Sequence, residues 1–469
     1  MVEVSKHLFD EKCKDVSCQL LLHPWHSSCF ISTLPAYKHS FLGSAKFYLL
    51  IHLVQNVMRG RKVLKRKDLI QMGEYYIRST ILGGLISGSC CSFGCLFRWL
   101  LGNKMNYYTY LFLPNVINGV CILLEPPSRR GLIINLFSNL TIEFILRSWE
   151  RSGHLSLTTT KKTLMFMTGS AALFYLMRLE GDKATRTPLL WLFTPEKVKR
   201  KTDNSKTICP HDGDCWKYML KGSATYFVIG AAVSLAQVIL PKITSPLKAI
   251  ASIRVSHLKL ALFFGSYIGI YRSVICYLCQ KRRVDSALYA LPAGYFAGLS
   301  FIFKPSLGFA IASLTGAFKL YSTILYEKKI LPEHIPLPVI LYCLCQGTLF
   351  HARFMHPDVC PSYVFKLMKS VSNGTSSDPS RVALLSLVVG PRRTPHADGP
   401  SLEPCGAAAS HWRGPTGQWN PASSILVLPD APPQYMLGLL ADNTATMPDA
   451  WMTGPPESPP HTTAIVPHR

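Results

Sequence analysis

The chain has 469 residues, 48% apolar and 16% charged, with a net charge of +24 and a positive mean hydropathy. This is too apolar for an ordinary soluble domain and fits a multi-pass membrane protein. Nucleic-acid binding is set aside: the basic clusters 59–67 and 197–201 lie between apolar segments, where Lys and Arg fix topology or meet anionic headgroups.

In chain order, residues 1–40 form a polar cap carrying Cys13, Cys18, His23, Trp25, His26 and Cys29. Residues 41–179 hold a weak apolar helix at 41–58, then stronger segments at about 79–101, 107–124, 131–148 and 163–179. Residues 180–221 read as a basic loop with a second Cys/His set, Cys209, His211 and Cys215. Residues 222–370 hold segments at about 222–240, 258–279, 286–303, 306–326 and 335–352. Each strong segment approaches the ~20 residues that cross a ~30 Å hydrocarbon core. From 371 to 469 Pro, Gly, Ser, Thr and Ala dominate, so a disordered tail is expected. The chain opens without a secretory signal and ends in Val466-Pro-His-Arg469, which is no address tripeptide. Internal segments are therefore expected to direct insertion.

The two apolar regions echo each other. Gly84, Gly88 and Cys95 recur in spacing as Gly265, Gly269 and Cys276. The run from Gly119 to Pro126 is matched by Gly298 to Pro305, and Gly43-Ser44-Ala45 by Gly222-Ser223-Ala224. The expected fold is all-α: a multi-pass bundle with an internal duplication of about five helical segments per copy. If all five segments span, the copies insert in opposite directions, the plan of many transporters; if the first of each lies flat, they are parallel.

Cys18, His23, His26 and Cys29 are the candidate metal ligands, a set that suits structural zinc, although the paired C-x-x-C spacing is missing. A Cys18–Cys29 disulfide and a plainly packed cap are the open alternatives. Cysteines inside apolar segments, such as Cys90, Cys91, Cys121, Cys343 and Cys345, read as small packing residues. Asn135, Asn139, Glu143 and Arg147 recur every four residues and form a polar stripe, which should face other helices or a water-filled cavity. Glu143 has two candidate partners, Arg147 in its own helix and Lys319 across the repeat interface. Gly84, Gly88, Gly265, Gly269, Gly308 and Gly316 are expected helix-packing seams. No phosphate loop, nucleophile elbow or His-Glu-x-x-His helix is present, so no catalytic or cofactor-binding residue is expected.

The cap with Cys18, His23, Trp25, His26 and Cys29 resembles the cysteine-rich amino-terminal region of the transmembrane protein 135 family, also called peroxisomal membrane protein 52. The run from Ser128 to Leu132, continuing to Asn139, Glu143 and Arg147, resembles that family's most recognisable stretch. Leu262–Tyr271 and Ala293–Ser300 are similar to its carboxy-terminal half, which in turn resembles the mitochondrial inner-membrane translocase superfamily. The resemblance covers about residues 15–370, and the last hundred residues depart from the family pattern. It implies a non-enzymatic protein of peroxisomal and mitochondrial membranes, acting in fission–fusion balance, peroxisome organisation and lipid metabolism. Its expected partners are the bilayer, anionic lipids and organelle-dynamics proteins. The alternative is a transporter or pore for a metabolite or lipid at the interface of the two repeats.

Overall fold

A computed structural model describes residues 4–23, 26–59, 66–180, 208–211, 213–239, 258–330 and 336–374. The expected tail lies outside the described residues beyond Gly374, as do most of the basic loop and the cluster at 197–201. No strand occurs among the described residues.

Two short helices open the fold, α1 (Lys6–Cys13) and α2 (Cys18–Leu21). Ser5 caps α1, its hydroxyl accepting from the Leu8 N–H at 3.2 Å. An antiparallel hairpin follows, α3 (Cys29–Arg59) and α4 (Arg66–Leu100). Next come the short helices α5 (Tyr107–Tyr110) and α6 (Phe112–Asn118), which tighten into a 3-10 segment over Gly119–Leu124. Pro126 ends that segment, and Pro127 starts α7 (Pro127–Arg151), where a missing N–H costs nothing. α8 (Thr159–Glu180) completes the first half.

The same order then recurs. α9 (Cys215–Ile239) and α10 (Leu258–Arg282) form a hairpin, and α11 (Ala290–Ala297) tightens into a 3-10 segment over Gly298–Phe303. α12 (Leu307–Glu327) and α13 (Leu337–Met355) complete the second half, and α14 (Ser362–Val371) closes the described fold. Both 3-10 segments begin at a glycine and run into a proline, Pro126 or Pro305, so the echoed motif is one local structure used twice.

The halves interlock by exchanging their last helices. α8 leaves the first half to pack against α11, α12 and the second 3-10 segment, while α13 packs against α6, α7 and the first 3-10 segment. Two apolar cores result. In one, Phe166 and Phe174 of α8 join Phe263, Tyr267 and Tyr271 of α10 and Phe301. In the other, Tyr342, Leu349 and Phe350 of α13 join Leu82, Ile86, Phe137 and Leu140. The crossings explain the glycines at both 3-10 starts. A Cβ on Gly119 would stand 2.9 Å from Cys343 Cα, and one on Gly298 would stand 2.6 Å from Met167 Cα. Each glycine lets the other half's last helix approach against backbone atoms, which cannot step aside.

The anticipated glycine seams belong to the hairpins. Gly84 and Gly88 of α4 seat the rings of Phe41 and Tyr37 on α3, and Gly265 and Gly269 of α10 face Phe227 and Ser223 on α9. Ser223 Oγ also donates to Gly265 O at 2.9 Å. Gly308 and Gly316 are buried on α12.

Among the described residues, four stretches are long and apolar enough to cross a bilayer: Leu69–Leu100, Tyr107–Leu124, Leu258–Arg282 and Leu307–Glu327. α7 is not among them. It is amphipathic, because the polar stripe occupies its inner face and arginines sit at both ends. Exposed Leu53, Trp99, Ile302, Phe318 and Leu344 leave the outer surface apolar, as a lipid environment requires.

Candidate functional site: a pocket and two cysteine–histidine clusters

The polar stripe points inward, with Asn135, Asn139 and Glu143 buried and Arg147 half-exposed. Glu143 pairs within its own helix: Arg147 donates to Glu143 Oε1 from Nε at 3.0 Å and from Nη2 at 2.6 Å. The contact between halves is made by Asn139, whose Oδ1 accepts from Thr315 Oγ1 of α12 at 2.6 Å. Lys319 is placed elsewhere, its Nζ 3.5 Å from where a Cβ on Gly131 would stand. α7 and α12 run in opposite senses, so the turn that carries α12 on from Thr315 to Lys319 carries α7 back toward Gly131. The twelve residues from Gly131 to Glu143 span roughly 18 Å of helix, which takes Lys319 away from Glu143.

A second polar chain, absent from the sequence reading, links the halves through amides. Gln346 of α13 donates to Asn118 Oδ1, and Asn118 Nδ2 donates to Ile86 O at 3.0 Å and Asn115 Oδ1 at 3.3 Å. All three amides are buried. Arg178 of α8 donates to Asp285, an ion pair between the halves with Arg178 buried. Single polar residues in apolar runs carry no spacing signal, and only tertiary packing brings these together.

A cavity of about 130 Å³ opens between α3, α4, α7, α13 and α14. Its wall is largely apolar, with Phe47, Tyr48, Leu136, Phe137 and Tyr342 among its lining. One pole is polar. Ser79 Oγ donates to Glu125 Oε1 at 2.5 Å, Arg129 Nη1 donates to Ser79 Oγ at 3.2 Å, and the Arg129 guanidinium lies over the Tyr75 ring at 5.1 Å. Glu125 is 1% exposed; its Oε2 lies 3.8 Å from Arg129 Nη1 and has no hydrogen-bond partner among the described residues. The cavity has room for part of an apolar chain rather than a whole lipid.

The structure also gathers two groups of soft-metal donors. In the first, Cys18, His23, Cys29 and Cys95 place one ligand atom each within 4.8 Å of one another. Cys18 and Cys29 Sγ are 3.4 Å apart. His26 lies outside this group: its Nδ1 accepts from the Ser28 N–H at 3.0 Å. The fourth position anticipated for His26 belongs to Cys95, which α4 brings in from the far end of the hairpin. Sequence proximity pointed to His26, and the antiparallel return of α4 was not legible locally.

The second group, Cys209, His211, Cys215 and Cys276, has the same composition and the same tightness. Cys209 and Cys215 Sγ are 3.7 Å apart, and Cys276 Sγ lies 3.3 Å from His211 Nε2. The His211 ring stacks on Tyr218 at 4.1 Å, and Gln280 Nε2 donates to Cys215 Sγ at 3.2 Å. Burial pushes the Cys18 and Cys209 thiols up, and the neighbouring thiol, Cys29 or Cys215, pushes each further in the same direction. Both donor sets suit zinc chemically.

Taken together, an all-helical fold, an apolar outer surface and helices of bilayer length define a multi-pass helical membrane protein. Residues 15–148 match the family model of the N-terminal cysteine-rich region of Transmembrane protein 135. Over these residues the chain is similar to the transmembrane protein 135 family. The match ends before residues 222–370, so it does not bear on their resemblance to the translocase superfamily. No solved structure matches the chain.

Proposed function

We propose that the protein is a non-enzymatic component of peroxisomal and mitochondrial membranes, influencing fission–fusion balance, peroxisome organisation and lipid metabolism by holding the apolar chain of an amphipathic lipid. The observation that carries this reading is the cavity between α3, α4, α7, α13 and α14, largely apolar and aromatic along its wall, with its charged groups, Glu125 and Arg129, gathered beside Ser79. An apolar tail suits the wall, and a polar head suits the Ser79, Glu125 and Arg129 pole. The organelles and the effect on organelle form are proposed from the resemblance over residues 15–148 rather than from any residue in the cavity. Anionic lipids and organelle-dynamics proteins are the partners this reading calls for.

The test is photo-crosslinking of a diazirine-bearing fatty acid or phospholipid to the protein in vesicles. Labelling in the cavity is expected, and Leu136→Trp, which fills it, should abolish that labelling. Equal labelling of the filled variant, or labelling confined to the outer surface, would overturn the reading.

A second reading is transport of a lipid or metabolite at the interface of the halves, favoured by the recurring element order. The exchanged helices weigh against rigid rocking of one half on the other, because that motion would open both apolar cores. Flux across protein-containing liposomes separates the readings: substrate movement supports transport, and binding without movement supports holding.

A further inference from the structure

We propose that the protein holds two structural zinc ions, one in Cys18/His23/Cys29/Cys95 and one in Cys209/His211/Cys215/Cys276, each tying a polar segment to the open end of the hairpin that follows it. The two donor sets occupy equivalent places in the recurring element order. Cys29 starts α3 and Cys215 starts α9; Cys95 and Cys276 lie toward the ends of the return helices α4 and α10. In each case the remaining Cys and His come from the segment ahead of the hairpin. Four donors thus draw a leading segment, the first helix and the second helix to one point, twice.

Donor chemistry and geometry favour a tetrahedral metal over the alternatives. Zn–S bonds near 2.3 Å place the sulfurs of a tetrahedral site about 3.8 Å apart, and the pairs found at 3.4 and 3.7 Å are close to that. The histidine of the first set is already oriented. His23 is fully buried, and its Nδ1 sits 2.9 Å from His26 O, a carbonyl that only accepts. In the neutral ring this bond places the proton on Nδ1 and leaves the Nε2 lone pair for a metal. Among the described groups Nε2 has no hydrogen-bond partner. A carbonyl holding the far nitrogen of a ligating histidine is the usual support for a metal. In the second set, the Tyr218 ring fixes the His211 plane, and the Gln280 amide donates to the Cys215 sulfur. A Cys18–Cys29 disulfide would use two sulfurs and leave the buried His23 Nε2 and the half-buried Cys95 thiol without a role. Four converging donors account for all of them.

The binding step balances simply. Each Zn²⁺ takes three thiolate sulfurs and one neutral imidazole nitrogen, releasing three protons to solvent and leaving the centre with a net charge of −1. No oxidant or reductant is needed. All four positions are filled by protein, which is the pattern of a structural rather than a catalytic zinc.

The experiment is elemental analysis of the full chain, purified in detergent without chelators. Two zinc ions per chain are expected. Cys95→Ser and Cys276→Ser should each lose one, while His26→Ala and Cys121→Ser should keep both. Because a ligand variant can misfold, the wild-type chain is also exchanged into cobalt. Tetrahedral thiolate ligand-field bands are expected, and Cys29→His should shift them without abolishing them. A metal-free wild type, or full zinc in both ligand variants, would overturn the proposal. So would recovery of Cys18–Cys29 and Cys209–Cys215 as disulfides in the wild type. A single ion lost with only one of the two variants would overturn it for the other centre.

Discussion

Phe166 of α8 lies flat against Phe301 of the second 3-10 segment, ring centroids 4.4 Å apart and planes 10° from parallel. The first half ends by inserting this ring between Phe301, Phe263 and Tyr267 of the second. Phe166→Ala should therefore destabilise the fold by about 3–5 kcal/mol. Phe303→Ala, at a 43% exposed position on the same segment, should cost far less. Thermal unfolding in detergent measures both, and equal shifts would contradict the exchange of helices.

The glycines predict opposite signs at different places. Gly119→Ala and Gly298→Ala push a methyl into backbone atoms of α13 and α8 and should lower stability markedly. At Gly73, on the exposed start of α4, a Cβ meets nothing within 4 Å. Gly73→Ala should raise stability by roughly 0.5–1 kcal/mol through helix propensity alone. Chemical denaturation of the three variants checks the contrast.

Much of the helical framework was legible from hydropathy. The segments expected at 107–124, 258–279, 306–326 and 335–352 are found as α5–α6 with its 3-10 turn, α10, α12 and α13, shifted by a few residues at their ends. α3 begins at Cys29 rather than about 41, because apolar periodicity is weak before Phe41 although the backbone is already helical. The partners of each helix were not legible. Nothing local in α8 says that it packs on α11 and α12, and nothing near Cys29 names Cys95. Pairings over such separations are set by the whole chain's packing, while spacing reports only neighbours.

The Asn139–Thr315 hydrogen bond predicts a coupling. Thr315→Val should cost about 1 kcal/mol, and pairing it with Asn139→Leu should cost less than the sum of the two changes. A double-mutant cycle in detergent reads the difference, and strict additivity would mean that the contact contributes nothing.

Cys13 predicts a pH dependence outside the membrane segments. Burial pushes its thiol from the ordinary value near 9 up to about 11. The folded state thus prefers the neutral thiol. Its contribution to stability is fully present below about pH 9 and is lost as pH rises through about 11. Maleimide labelling of Cys13 in the native protein should stay slow at pH 8 and accelerate up to about pH 11. A labelling rate at pH 8 equal to that of the unfolded chain would contradict the burial.

The most direct test of the interlocked halves uses one native cysteine. Cys345 Sγ of α13 lies 3.9 Å from Ser138 Oγ of α7, a contact between the halves. Ser138→Cys, oxidised with copper phenanthroline and then cleaved by protease within residues 181–207, should leave the two fragments joined on a non-reducing gel and separable on reduction. Ser148→Cys should not join them. Fragments that separate equally with and without oxidation would contradict the placement of α13 in the first half, and with it the exchange of last helices.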